Sequence, residues 1–310
     1  MRRSDFLSMT AAAGIVAGSG AAARSASPLR IASLPFDQSG QAYYAQDLDI
    51  FTKAGLTCTI QTINNGSQIA AAIAGGSLDI GQANVVALAE ARERGLGVSI
   101  IAGAGEYHAA KPTALMLVEK NSPLRDAKDF SAKTVAVGGL KTITQVSVQA
   151  WIDEGGGNSE LVKFIEMPFP QMEAALADGR IDGALLAEPD ASAALALGHT
   201  RVIAKPFDAI GKNWLIGGWF AKDDWIAANT ADVKKFVAAM RTSAQWANAH
   251  QAASAQILEK YTKVHVGNAA RVQYAETLDP RAIQPQIDAA VRYHLLKAAF
   301  PAKTLVWPAT

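Results

Sequence analysis

A single cysteine, Cys58, in a chain of 310 residues excludes an intrachain disulfide and any zinc site built on cysteines. Signatures of catalysis are scarce as well. The five histidines (His108, His199, His250, His265 and His294) are scattered, with no metal-ligand spacing. No GxSxG elbow occurs beyond residue 23, and no GxGxxG follows the first strand. Neither sign of charge dominates: 29 basic residues face 28 acidic ones, so nucleic acid is not expected as a partner. Beyond the N-terminus no uncharged apolar run approaches the roughly 20 residues of a bilayer span.

Half the residues are hydrophobic, so the chain can bury a sizeable core. Its first residues stand apart. Met1-Arg2-Arg3-Ser4-Asp5-Phe6-Leu7 leads into a mildly apolar, Ala- and Gly-rich run that closes on Ala21-Ala22-Ala23. This is the layout of an export signal spanning residues 1–23. The paired arginines resemble a twin-arginine signal, with one residue too many before Phe6. Removing 1–23 takes away Arg2, Arg3 and Asp5 and leaves 27 basic and 27 acidic residues. The expectation is a soluble periplasmic protein with no lipid anchor, monomeric and without a cofactor.

The remainder alternates strand and helix patterns. Strands are expected at Leu29–Leu34, Leu56–Ile63, Leu78–Gly81 and Val98–Gly105, with helices at Gln41–Ala54, Gln68–Ala74 and Val85–Arg94. His108–Pro112 then reads as a crossover. A second series follows: strands at Thr113–Glu119, Thr134–Val137 and Val162–Met167, a helix at Thr142–Glu154, and a last strand at Arg201–Ala204. Pro206–Trp214 reads as a return crossover. Helices are expected at Thr230–His250, Gln251–Tyr261, Asn268–Tyr274 and Gln284–Phe300. The two series repeat each other. Aligned without a gap, Gln68 falls on Gln171, Gly76 on Gly179 and Asp79 on Asp182, an offset of 103 residues. This predicts an α/β fold of two lobes with mostly parallel sheets: residues 28–110 with 214–310, and residues 112–206.

In such sheets ligands bind beyond the carboxyl ends of the strands. The loops there supply the candidate ligand-binding residues: Asp37 and Gln41, Gly66 and Ser67, Asn84, and the glycine loop Gly138, Gly139, Lys141 and Thr142. Helix N-termini in these loops favour an anion, and Lys141 adds a charge. Tyr107 and Trp214, beside the crossovers, are the leading aromatic candidates. Phe36, Tyr43, Tyr44, Phe169 and Trp219 also fall in or near these loops. Glu188, held before Pro189, is either a solvent-facing acid or an acceptor for a ligand donor. Asp79 and Asp182 are expected to serve the glycine turns before their strands rather than chemistry.

The export signal, Gly76-Ser77-Leu78-Asp79-Ile80-Gly81, the double-glycine loop and Asp178-Gly179-Arg180-Ile181-Asp182-Gly183-Ala184-Leu185-Leu186-Ala187-Glu188-Pro189 resemble a family. It is the group of periplasmic binding proteins for sulfonate, nitrate, taurine and thiamine-pyrimidine precursors. The likeness runs from about Leu29 to Met240, with Gly183 departing from the family's usual pattern. It implies a type II periplasmic-binding-protein fold with two hinge crossovers. It also implies a small-molecule ligand delivered to the membrane permease of an ABC transporter; an organic anion (sulfonate- or aromatic-carboxylate-like) is the expected class, with a pyrimidine heterocycle as the alternative. A fungal thiamine-pyrimidine synthase shares that fold but depends on a cysteine-rich segment, which is missing here. A ligand-sensing subunit would use the same cleft.

Overall fold

The computed structural model describes residues 27–267 and 269–308. The export signal expected at 1–23 lies outside these residues.

The first sheet takes strands β1 (Leu29–Ser33), β2 (Cys58–Thr62), β3 (Ile80–Asn84) and β4 (Val98–Gly103). Between them run helices α1 (Gln41–Asp47), α2 (Ile50–Lys53), α3 (Gly66–Ala74) and α4 (Val85–Glu93). The helix expected at Gln41–Ala54 is broken in two, because Asp49 takes a left-handed conformation at φ 56°. The strand expected at Val98–Gly105 is also two strands. β4 stays in the sheet, and β5 (Gly105–His108) leaves it at Ala104.

Chain crossing follows, and the second sheet is built from β6 (Ala114–Glu119), β7 (Thr134–Val137), β8 (Lys163–Glu166), β9 (Gly183–Ala187) and β10 (Thr200–Ala204). Its helices are α5 (Ile143–Glu154), α6 (Phe169–Ala177) and α7 (Asp190–Ala196); the last was not anticipated. The chain returns through β11 (Asn213–Leu215) to β12 (Gly217–Lys222).

Strand order is β2-β1-β3-β12-β4 in one sheet and β8-β7-β9-β6-β10 in the other. Four of the five strands in each sheet run the same way. The one that opposes them, β12 or β6, is the strand that enters directly from a crossover. β1 and β3 are almost wholly buried, as strands covered on both faces should be.

The repeat explains this twofold plan. Gly76 and Gly179 both occupy positive φ, 72° and 68°, where a side chain would be strained. The aspartates three residues later do not cap those turns. The Asp79 carboxylate instead accepts from the Arg30 backbone N–H at 2.8 Å and from its guanidinium. Asp182 accepts from the Thr134 backbone N–H at 2.8 Å, with Lys133 beside it. Each aspartate therefore ties the central strand of its lobe to the neighbouring strand.

The tail departs most from expectation. After α8 (Asp223–Ala228), α9 (Thr230–Ala249) and α10 (Gln251–Thr262), the helix expected at Asn268–Tyr274 is not found: residues 269–272 are irregular and lead into β13 (Gln273–Tyr274). β13 joins β5 and β11 in a three-stranded antiparallel hinge sheet. The final helix α11 covers only Gln284–Arg292, and it packs on α4 and on α5, so it touches both lobes. No helix among the described residues is long and apolar enough to cross a membrane.

Candidate ligand cleft

The carboxyl ends of the two sheets converge beside the hinge. Phe36, in the turn after β1, meets Phe169, at the start of α6, with ring centroids 5.4 Å apart. Gly138, at the end of β7, lies flat against that second ring: a Cβ there would sit 2.5 Å from it. The glycine is therefore required by packing between the loop and Phe169. The Phe36–Phe169 contact joins one lobe to the other.

Asp37 follows Phe36 and is 2% exposed. Arg271, itself 6% exposed, donates from Nε at 2.8 Å and from a terminal nitrogen at 2.5 Å to one carboxylate oxygen. The Val272 backbone N–H donates to the other at 2.8 Å, and the Tyr274 hydroxyl lies between the Asp37 backbone carbonyl and the oxygen that Arg271 binds, in donating reach of both. Arg271 also donates to the Tyr44 hydroxyl. Two opposite charges with this many hydrogen bonds are a satisfied buried pair. Asp37 is thus committed to holding the tail against the β1–α1 turn.

Across the cleft Glu188 is 5% exposed. Its oxygens accept from the Ser192 backbone N–H at 3.0 Å and the Ser192 hydroxyl at 2.9 Å, and it forms no ion pair among the described residues. Burial raises its pKa; the Ser192 bonds oppose that, and the charge of Asp37 adds to it. Glu188 is therefore close enough to lobe one to sense Asp37. Asp190, two residues on, is raised to about 6, first by burial and then by the charge of Glu188.

The glycine loop is ordered by its own lobe. Thr142 caps α5, accepting from the Thr144 backbone N–H and donating to the Gly139 carbonyl at 2.8 Å. The Leu140 backbone N–H donates to Glu166 at 3.0 Å and that of Lys141 to Gln145 at 2.9 Å. Lys141 is exposed, at φ 57°. In lobe one, Asn65 caps α3 by accepting from Ser67 and Gln68, beside Gly66, and Asn84 caps α4 by accepting from Ala87.

The other candidates sit deeper. Gln41 is wholly buried, donating to the Gly103 carbonyl and accepting from the Trp219 indole. Tyr107 and Trp214 pack edge-on and tilted against Phe207 inside the hinge, where the Tyr107 hydroxyl donates to Asp208 and the Trp214 indole N–H to backbone carbonyls. The structure thus brings together Phe36, Asp37, Gly138, Phe169 and Glu188, while Gln41, Tyr107 and Trp214 serve packing. Arg271 escaped sequence reasoning because nothing local links it to a partner 234 positions away. Among the described residues no group of three or more His, Cys, Asp or Glu could hold a metal ion.

A search of curated protein sequences finds no match. Among solved structures, the periplasmic aliphatic sulphonate binding protein SsuA of Escherichia coli has a TM-score of 0.74 at 17% identity, over 91% of this chain and 92% of that one. The alkanesulfonate-binding protein SsuA of Xanthomonas axonopodis pv. citri, bound to MOPS, scores 0.73 at 18% identity over 90% and 98%. A ligand-binding component of an ABC-type import system from Staphylococcus aureus scores 0.75 at 15% identity over 91% and 96%. These likenesses establish the fold as that of periplasmic binding proteins. The family model described as NMT1/THI5 like matches residues 37–254, most of the chain, so the protein belongs to the NMT1/THI5-like family.

Proposed function

We propose that this protein is the solute-binding component of an ABC importer, capturing one small organic molecule between its lobes and presenting the closed form to a membrane permease. Two lobes whose strand ends converge across a three-stranded hinge suit ligand-driven closure. The named relatives are sulfonate-binding or import-system proteins. On this reading the chain is exported, acts as a monomer and turns nothing over.

The ligand class rests on Glu188. A buried carboxylate held by Ser192 and the Ala270 backbone N–H has no ion-pair partner among the described residues, and a ligand bearing N–H donors or positive charge supplies one. An anion is less well served, since Arg271 is committed to Asp37 and the amides of Leu140 and Lys141 are already donated. An amino-heterocycle therefore fits better than a sulfonate. The sulfonate remains the second reading, favoured by the exposed Lys141 and by the names of the relatives.

A thermal-shift screen of purified protein against aminopyrimidines, sulfonates, aromatic carboxylates and nitrate tests this. Ligand at 100 times its Kd stabilises by about 2.7 kcal/mol, a readily visible shift. Aminopyrimidines should raise the midpoint and be recovered unaltered. A shift with sulfonates alone would reverse the choice of ligand class.

A further inference from the structure

The last helix, α11, is held unequally by the two lobes it touches. Its side toward lobe one and the hinge is fastened by hydrogen bonds. The Gln286 amide donates to the Leu215 carbonyl of β11. Just past the helix, the Lys297 backbone N–H donates at 2.6 Å to Glu93, the last residue of α4. The Ala302 backbone N–H donates to Gln284 at 2.7 Å, and that of Trp307 to the Ile100 carbonyl of β4 at 2.9 Å. The helix and the segment after it thus belong to lobe one.

Toward lobe two, α11 packs on α5 without a hydrogen bond among the described residues. Arg292 reaches Glu154, the last residue of α5, at 3.9 Å, with the two side chains 58% and 50% exposed. Tyr293 lies beside Asp153; burial, and then the charge of Asp153, push its hydroxyl up to about 12. Asp153 is already engaged by the Ser159 backbone N–H at 2.8 Å and hydroxyl at 3.0 Å. The buried Tyr293 hydroxyl has no partner among the described residues, nor do the buried side-chain oxygens of Gln286 on α11 and Gln149 on α5. Settled interfaces leave few such groups unpaired, so their gathering on two touching helices marks a contact that parts at small cost. It is also remote from the ligand. α4 and α5 start at the cleft-side strand ends, and their last residues lie about 13 and 18 Å along the helix axes from there.

We infer that the contact of α11 with α5 is a releasable latch between the lobes, outside the cleft, that sets the proportion of closed to open forms. The inference rests on lobe closure as read above and adds a site at which closure is tuned. Its sign follows from coexistence. The latch is made in the same form in which Phe36 meets Phe169, so weakening it disfavours that form and strengthening it favours that form. When the lobes part, α11 stays with lobe one, where its hydrogen bonds are.

The test needs no ligand. Interlobe distances are read by electron spin resonance between labels on Thr52→Cys and Gln171→Cys, exposed positions on α2 and α6, in a Cys58→Ser background. Arg292→Glu sets like charges against Glu154 and should lower the closed-to-open ratio by about threefold, the scale of an exposed ion pair. Glu154→Arg should do the same, and the two together should restore the wild-type ratio. Tyr293→Phe removes the unpaired hydroxyl and should raise the ratio. The charge variants lie at exposed positions and should melt with wild type, which separates a shifted ratio from unfolding. A ratio that none of the variants moves overturns the inference, as does a double variant in which the two losses add instead of cancelling. The importer reading is judged separately, by the thermal-shift screen, which involves no residue of α11.

Discussion

Replacing Arg271 with methionine is the sharpest test of how the tail serves the cleft. The guanidinium is 6% exposed and makes two of the hydrogen bonds to Asp37, with two more to the Gln251 carbonyl and the Tyr44 hydroxyl. Removing one member of a buried pair costs about 3–5 kcal/mol, mostly because the other charge is left uncompensated. Here Asp37 keeps the Val272 N–H and the Tyr274 hydroxyl, which places the loss at the lower end, about 3 kcal/mol. For a chain of this size that lowers the melting midpoint by about 6 °C. Differential scanning calorimetry measures it directly. Asp37→Asn in the Arg271→Met background removes the stranded charge and should recover part of the loss. If Arg271→Met melts within about 1 °C of wild type, the pair contributes nothing. If the double variant loses as much as the two single losses added together, the residues do not act as a pair.

Two further expectations follow from the second lobe. A valine at Gly139 places Cβ 2.9 Å from the Thr142 side chain and should displace that cap. The cost should be about 1 kcal/mol, leaving the protein folded while ligand binding is lost; unchanged affinity by calorimetry would remove the loop from the site. Asp190 holds its proton more tightly folded than unfolded, at about 6 against 3.8. Its stabilising contribution is therefore fully present below the unfolded value and is lost as pH rises through about 6. Asp190→Asn should melt higher than wild type at about pH 7.5 and match it near pH 4, and parallel melting curves across that range would refute the assignment.

Much of the α/β frame was legible because local rules dictate it. Strand and helix periods alternate, Asn65, Asn84 and Thr142 cap where their side chains predict, and glycine stops fall at Gly76 and Gly179. What escaped depends on distant partners. The segment around Arg271 has helix-compatible composition, yet Asp37 holds Arg271 and Val272 while β5 pairs with Gln273 and Tyr274. β4 and β5 read as one apolar run because periodicity carries no record of which sheet a strand joins. Glu188 could not be told from a surface acid until α7, and with it Ser192, folded back over its carboxylate.

The duplication also shows where recognition has to reside. Asp79 and Asp182 repeat because each lobe needs its central strand tied to its neighbour, a demand the ligand does not influence. At the same offset, Gly66 falls on Phe169, Gln82 on Leu185 and Val85 on Glu188. One of them, Glu188, is a carboxylate 5% exposed and held by Ser192. A small organic molecule with a distinct donor edge and acceptor edge cannot be matched by two identical surfaces. A closing pair of like lobes must therefore abandon its symmetry where it touches the ligand.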